Sequence, residues 1–280
     1  VKAALKDVPP IDPSQIPLML DENSVIYDSE GNLLEKIQSN SLRTIVKYED
    51  IDEDLKNAFI ATEDRTFFEH QGFNFRRLVG AALEGLKTKS MPKGTSTITQ
   101  QLARNIYLAE IKSEKSLTRK IKEAYYAVQI ERALQKEQIF EAYLNTVALG
   151  SGANGVQAAA QKYFSKDAKD LDLVESALIA GITQWPARHS PFITKRKEDV
   201  AEDDYILDDS DDIYTIVFNE ESLDRFGDVL FFMELNGFIT EEEYEEAKNT
   251  DLKTKLNPGK LKNTDISSFF TDLVKDDVIS

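Results

Sequence analysis

The stretch DEDLKNAFIATEDRTFFEHQGFN (52–74) opens as an amphipathic helix. Leu55, Ala58, Phe59 and Thr62 recur at helical spacing and share one face. At its end Glu63, Asp64 and Arg65 stand in succession, followed by two phenylalanines and by His70, one of two histidines in the chain. A helix that heads into a core and ends in three charges has two physical readings. Either the charges form a structural ion-pair knot, or one carboxylate is held in a cleft to do chemistry.

Outward from this point the pattern stays helical from 51 to about 190. Ser, Thr and Asp caps and Gly or Pro stops separate segments near 52–64, 74–88, 97–108, 118–134, 136–148, 152–164 and 171–182. Strand signals are almost absent there, which predicts a mainly α core. Upstream, residues 1–20 are punctuated by Pro9, Pro10, Pro13 and Pro17 and read as an extended lead-in. SVIYDSEGNLLEKI (24–37) predicts a β-hairpin with Gly31 in its turn. Downstream, YILDDSDDIYTIVF (205–218) predicts a second hairpin, tipped by four aspartates; its spacing lacks the glycine and final glutamate of an EF-hand calcium loop. TEEEYEEAK then offers Thr240 for a capping box, and the tail from 249 reads as a linker.

The 280 residues suffice for a sizeable core. With no cysteine there is neither a disulfide framework nor a thiolate nucleophile, and two distant histidines disfavour a zinc site or a Ser-His-Asp triad. A net charge of −16 argues against nucleic acid as a partner. That charge is uneven. Residues 87–122 hold nine Lys/Arg against Glu110 and Glu114, whereas residues 198–224 hold twelve Asp/Glu and no base. A basic island in an acidic chain suggests a specific anionic ligand such as a phosphate. No apolar run reaches the roughly 18–20 residues of a membrane span. The chain opens on Val1 rather than Met, so a fragment is expected, with any N-terminal anchor outside it.

KGTSTITQQLARN (93–105) is a hydroxyl-rich turn opening a helix, a place where backbone N–H groups can meet an anion. Thr97, Gln100, Gln101 and Arg104 share one polar face, while Ile98 and Leu102 lie opposite. That polar face meets either water or a ligand. In SEKSLTRKIKEAYYAVQIERAL (113–134), Lys115 precedes the helix and Arg119 and Lys120 sit in its first turns, against the macrodipole; a bound anion would relieve that misfit. Glu123 reads equally well as an i,i+4 partner of Arg119. Phosphate grips, an amide-rich face and a carboxylate at a helix end together suggest transfer from a phosphorylated carbohydrate donor.

ATEDRTFFEHQGFN, GTSTITQQLARNIYL, EKSLTRKIKEA and KEQIFEAYLNTVALGSGANGVQAAAQKYF resemble, in order, the signatures of the peptidoglycan glycosyltransferase (transglycosylase) domain of class A penicillin-binding proteins, glycosyltransferase family 51. ALIAGITQWPARHSPF (177–192) and RFGDVLFFMELNGFIT (225–240) resemble its later segments. The resemblance implies a lysozyme-like catalytic lobe with a smaller membrane-associated lobe, polymerising lipid II into β-1,4 glycan and releasing undecaprenyl pyrophosphate. It implies Glu63 as general base on the acceptor hydroxyl and Glu123 as assistant to the departing pyrophosphate, directly or through a divalent metal (Mg or Mn), with no organic cofactor. Arg104, Lys115, Arg119 and Lys120 would neutralise the pyrophosphate, Ser96, Thr97, Gln100 and Gln101 would line the donor and sugar sites, and Asp64, Arg65 and His70 would support Glu63. Asn145 is expected to brace helices.

The same resemblance divides the chain into a lead-in and hairpin (1–50), a glycosyltransferase domain (51–250) and a linker (251–280) toward a further domain. Within the domain, 73–94 would be the membrane-proximal lobe and 198–224 an acidic insertion. Implied partners are lipid II and the growing glycan, the membrane surface and other cell-wall synthesis proteins, at the extracytoplasmic face of a bacterial plasma membrane. The sequence departs from the family pattern at Asn74, at Thr95, at Arg104 with Lys115, and at the acidic hairpin. Two other readings remain open: a lysozyme-like glycan hydrolase, disfavoured because a neutral glycan does not require four cations, and a non-catalytic scaffold, disfavoured by intact Glu63 and Glu123.

Overall fold

A computed structural model describes residues 8–16, 24–27, 33–37, 45–74, 96–111, 114 and 116–258. The helix expected at 74–88, nearly all of the membrane-proximal segment 73–94, the turn residues 93–95, Lys115 and the tail from 259 lie outside the described residues.

The molecule is mainly α, and the described residues include two small antiparallel sheets. Helix α1 (Glu53–Glu63) starts where the Asp52 carboxylate accepts the N–H groups of Asp54 and Leu55, and it buries Leu55, Ala58, Phe59, Ile60 and Ala61. Helices α2 (Ile98–Tyr107), α3 (Leu117–Ala133) and α4 (Lys136–Thr146) form one packed group, α2 touching both others. Helix α5 (Val156–Phe164) leads to α6 (Leu173–Ile182), where every residue from Val174 to Ile182 is buried. A helix apolar on all sides belongs in a core, and α6 packs against α1 and against α8 (Glu221–Leu235). The short α7 (Pro186–His189) precedes the sheet, and α9 (Glu241–Lys248) and α10 (Leu252–Lys255) close the described chain.

The strand pairs of both expected hairpins are present, while Gly31 and the rest of the first turn lie outside the described residues. Strands β1 (Ser24–Tyr27) and β2 (Leu33–Ile37) pair antiparallel. Strands β4 (Ile206–Asp208) and β5 (Tyr214–Phe218) form the acidic hairpin, but β3 (Phe192–Arg196) joins them in the order β3-β5-β4. Residue 192 faces residue 218, so two buried phenylalanines stitch the sheet to the core. In FITKR only Phe192 is buried, and so weak an alternation did not announce a strand.

Both ends of the described body are more integrated than a lead-in and a linker suggest. Ile16 is fully buried, and Leu252 and Leu256 are buried, so residues 251–256 pack on the body. Asn145 does brace the structure: it accepts the N–H of Val46 and donates to that residue's carbonyl, each at 2.9 Å, as a paired strand residue would. Gly155 makes this close packing possible. Its φ is +85°, and a Cβ there would lie 2.8 Å from the Asn145 carbonyl oxygen.

Candidate active site

Helix α1 delivers Glu63 at its last position, partly buried. Gln101 Nε2, one turn into α2, donates to Glu63 Oε2 at 2.7 Å. Thr183 Oγ1, at the end of α6, donates to Glu63 Oε1 at 2.7 Å. Behind them Tyr143 OH lies 3.5 Å from Gln101 Oε1. Burial holds the Tyr143 phenol well above its usual range; the Glu63 carboxylate pushes the same way and Arg104 works against it. Arg104 and Glu63 thus both lie within electrostatic reach of the Tyr143 phenol.

The neighbouring Asp64 has no exposed surface. Its Oδ2 meets His70 Nε2 at 2.8 Å and accepts the Ile98 N–H at 3.1 Å, so it ties the end of α1 to the start of α2. His70 therefore holds Asp64, as its supporting part requires. Arg65 is exposed.

The polar face of α2 divides its work. Thr97 is buried: its hydroxyl donates to the Gly72 carbonyl at 2.8 Å and accepts the Gln100 N–H, while Gln100 Oε1 accepts the Thr97 N–H. This reciprocal capping box engages the Thr97 hydroxyl and the Gln100 side-chain oxygen. Gln101 is on Glu63, and Ser96 faces the basic helix. There Lys120 Nζ donates to Ser96 Oγ at 2.7 Å and to Glu123 Oε2 at 2.6 Å. Arg119 Nε lies 3.4 Å from Glu123 Oε1. The Glu123 side chain is 0% exposed. The salt-bridge reading of Glu123 thus holds, and direct contact with a leaving group does not suit a carboxylate closed off in this way. Both clusters hang on the start of α2, with Ser96 just before its N-cap Thr97 and Gln101 one turn in.

The same geometry tests the fit of a divalent cation. Glu123 is the candidate ligand, and two cations already neutralise it. Among the described residues no group of three or more His, Cys, Asp or Glu is placed to hold an ion. These residues do not fit a metal held by the protein itself.

Thr183 had no sequence signal, since a threonine after a buried helix reads as a C-terminal residue only. Its single hydroxyl proton lies near two acceptors, Glu63 Oε1 and the Ala180 carbonyl at 2.8 Å. When Glu63 is ionised, Thr183 donates to it. When Glu63 carries a proton, Thr183 can accept it and donate to Ala180. The contact survives both halves of a proton-transfer cycle. Thr183→Val should lower kcat by about 10-fold or more with KM little changed, since a hydrogen bond to a charged group is worth about 1.5–3 kcal/mol. Steady-state kinetics check this, and Thr183→Ser should restore most of the rate.

A sequence profile of the transglycosylase family matches residues 30–210 and so takes in Glu63, Gln101, Glu123 and Thr183. The chain belongs to the transglycosylase family. Among curated proteins it is similar to penicillin-binding protein 1A of Clostridium tetani, 38% identical over 269 residues, which is 95% of this chain and 31% of that protein. It is 40% identical over 252 residues to penicillin-binding protein 1A of Aquifex aeolicus, covering 90% of this chain and 30% of that one. Penicillin-binding protein 2D of Bacillus subtilis is 40% identical over 183 residues, or 65% of this chain and 26% of the relative. The chain spans less than a third of the length of each of these relatives.

Proposed function

We propose that this chain is the glycosyl-transferring part of a cell-wall polymerase, joining lipid II units into β-1,4 glycan and releasing undecaprenyl pyrophosphate. The observation that carries the reading is the contrast between two carboxylates. Glu63 is held by neutral donors, Gln101 and Thr183, and among the described residues it has no cationic partner. It can take a proton without breaking an ion pair. Glu123 is buried against Arg119 and Lys120 and is already neutralised.

In the reaction, Glu63 accepts the proton of the acceptor's 4-hydroxyl as that oxygen attacks the anomeric carbon of the donor. The bond from that carbon to the pyrophosphate oxygen breaks, and the electron pair leaves with the pyrophosphate. Attack from the opposite side inverts the carbon, so one base suffices and no glycosyl-enzyme forms. Arg119 and Lys120, with Arg104 and Lys115, offset the charge that builds on the leaving group. Glu123 is a positioning residue here: it aims the two cations and lowers their mutual repulsion, and Ser96 steadies Lys120. A divalent cation would be held by the donor's own phosphates rather than by these residues and would supply further charge neutralisation there.

The basic and apolar composition of 73–94 supports contact with an anionic bilayer, where a lipid-linked substrate resides. No helix among the described residues is long and apolar enough to cross a membrane. Work at the extracytoplasmic face, alongside other cell-wall synthesis proteins, follows from the proposed substrate. Product analysis separates transfer from hydrolysis. Lipid II should yield polymer that a muramidase cleaves, with one undecaprenyl pyrophosphate released per bond. Cleavage of preformed glycan without pyrophosphate release would instead identify a hydrolase.

A further inference from the structure

Tyr143 reaches the Glu63 centre from α4 through its hydroxyl. Its ring is fully buried, edge-on to Phe59 at 5.9 Å between centroids and stacked on Phe140 at 6.4 Å. Burial also keeps the proton on the phenol oxygen, because it holds the group well above its usual range. A buried hydroxyl that keeps its proton needs an acceptor, and the acceptor here is Gln101 Oε1 at 3.5 Å. That separation is long for a hydroxyl donor, so the contact adds little strength of its own.

Its effect lies in what it selects. A glutamine amide keeps nearly the same shape after a half-turn about its last bond, yet the turn exchanges a donor for an acceptor. In the structure Nε2 donates to Glu63 Oε2 at 2.7 Å and Oε1 faces Tyr143. The half-turned amide would set its oxygen against a carboxylate oxygen and its NH2 against the phenol's proton. Both contacts would be lost at once, and a buried donor without a partner bears the full desolvation of that group. The other oxygen of Glu63 is met by Thr183, whose hydroxyl has a second acceptor in the Ala180 carbonyl and can turn. The carboxylate thus has one adaptable partner and one fixed partner.

We propose that Tyr143 is a positioning residue for the transfer reaction, whose hydroxyl fixes which end of the Gln101 amide faces Glu63. A carboxylate that is to accept a proton is thereby met by an N–H rather than by a second acceptor. The catalytic consequence rests on the glycosyl-transfer reading, whereas the orientation of the amide does not.

Tyr143→Phe removes one oxygen and leaves the ring to its packing. It should lower kcat for lipid II polymerisation about 10-fold with KM little changed, the scale of one lost hydrogen bond. In a Gln101→Met background the same replacement should change kcat by less than about 2-fold, because the hydroxyl acts through the amide. A purely structural part would cost the same in both backgrounds. A second readout needs no turnover: nuclear magnetic resonance of isotope-labelled glutamine side chains. The Gln101 NH2 pair, assigned by its loss in Gln101→Met, should show one proton shifted by its bond to Glu63, and that shift should collapse in Tyr143→Phe. An amide pair that does not respond, equal losses of kcat in both backgrounds, or a variant that does not fold would each overturn the positioning role. With polymerisation intact, the first of these leaves the Glu63 reading standing. A collapsed amide shift with unchanged kcat would instead keep the orientation and remove Glu63 as the base.

Discussion

Replacing Glu63 by Gln should cut glycan polymerisation by about 10²–10⁴-fold, the range that a positioned general base supplies. The substitution is unusually clean here. Gln has the shape of Glu, and its amide oxygen can still accept from Gln101 Nε2, which now donates at 2.7 Å. Its NH2 then faces Thr183 Oγ1, which can turn its proton to the Ala180 carbonyl at 2.8 Å. Both partners stay satisfied, so the thermal midpoint should stay within a degree or two, a change of well under about 1 kcal/mol. Loss of rate with retained stability is the signature of chemistry. A matched fall in both would return Glu63 to the ion-pair reading that its charged neighbours allow.

Asp64→Ala should behave in the opposite way and act first on stability. Asp64 is fully buried and bonds His70 and the Ile98 amide, neither of which can reach water in its place. Removing it strands a buried ring nitrogen and a helix-start N–H at once. The cost should be about 3 kcal/mol or more, which lowers the thermal midpoint by roughly 6–12 °C in a domain of this size. Calorimetry or circular dichroism reads it directly. Activity should fall too, because the joint between α1 and α2 sets the distance from Glu63 to Gln101. Asp64→Asn should lie between wild type and Ala, since the amide oxygen can keep the Ile98 contact while the charge opposite His70 is lost.

The helical frame could be read from the sequence because its signals are local. Asp52, Thr97, Ser116, Asp172 and Thr240 each cap the helix they precede, with their side chains accepting the N–H groups that local rules assign. Six of the seven expected segments of the helical stretch are recovered within a few residues, and the seventh, 74–88, lies outside the described residues. Strand β3 was not legible, because a strand with one inward residue exists only through its partner β5, whose paired residues lie 18 to 26 positions further along the chain.

Within the site, the charged cluster 63–65 was legible as a cluster, but the division of labour inside it was not. Which of Glu63 and Asp64 is sealed depends on how α2 crosses the end of α1, and α2 is about 35 residues further on. Thr97 and Gln100 share a face with Gln101 and cap the helix through local contacts, whereas only tertiary contact brings Gln101 to Glu63. Thr183 comes to Glu63 from 120 residues away, a pairing no periodicity encodes.

The central claim is that Glu63 serves as the base in a transfer that builds glycan. Fluorescent lipid II, incubated in detergent with a divalent cation and resolved on a gel, tests it most directly when wild type and Glu63→Gln are run side by side. The account predicts a ladder of polymer from wild type and unreacted lipid II from the variant. A ladder of equal intensity from Glu63→Gln, folded and at the same concentration, would contradict it.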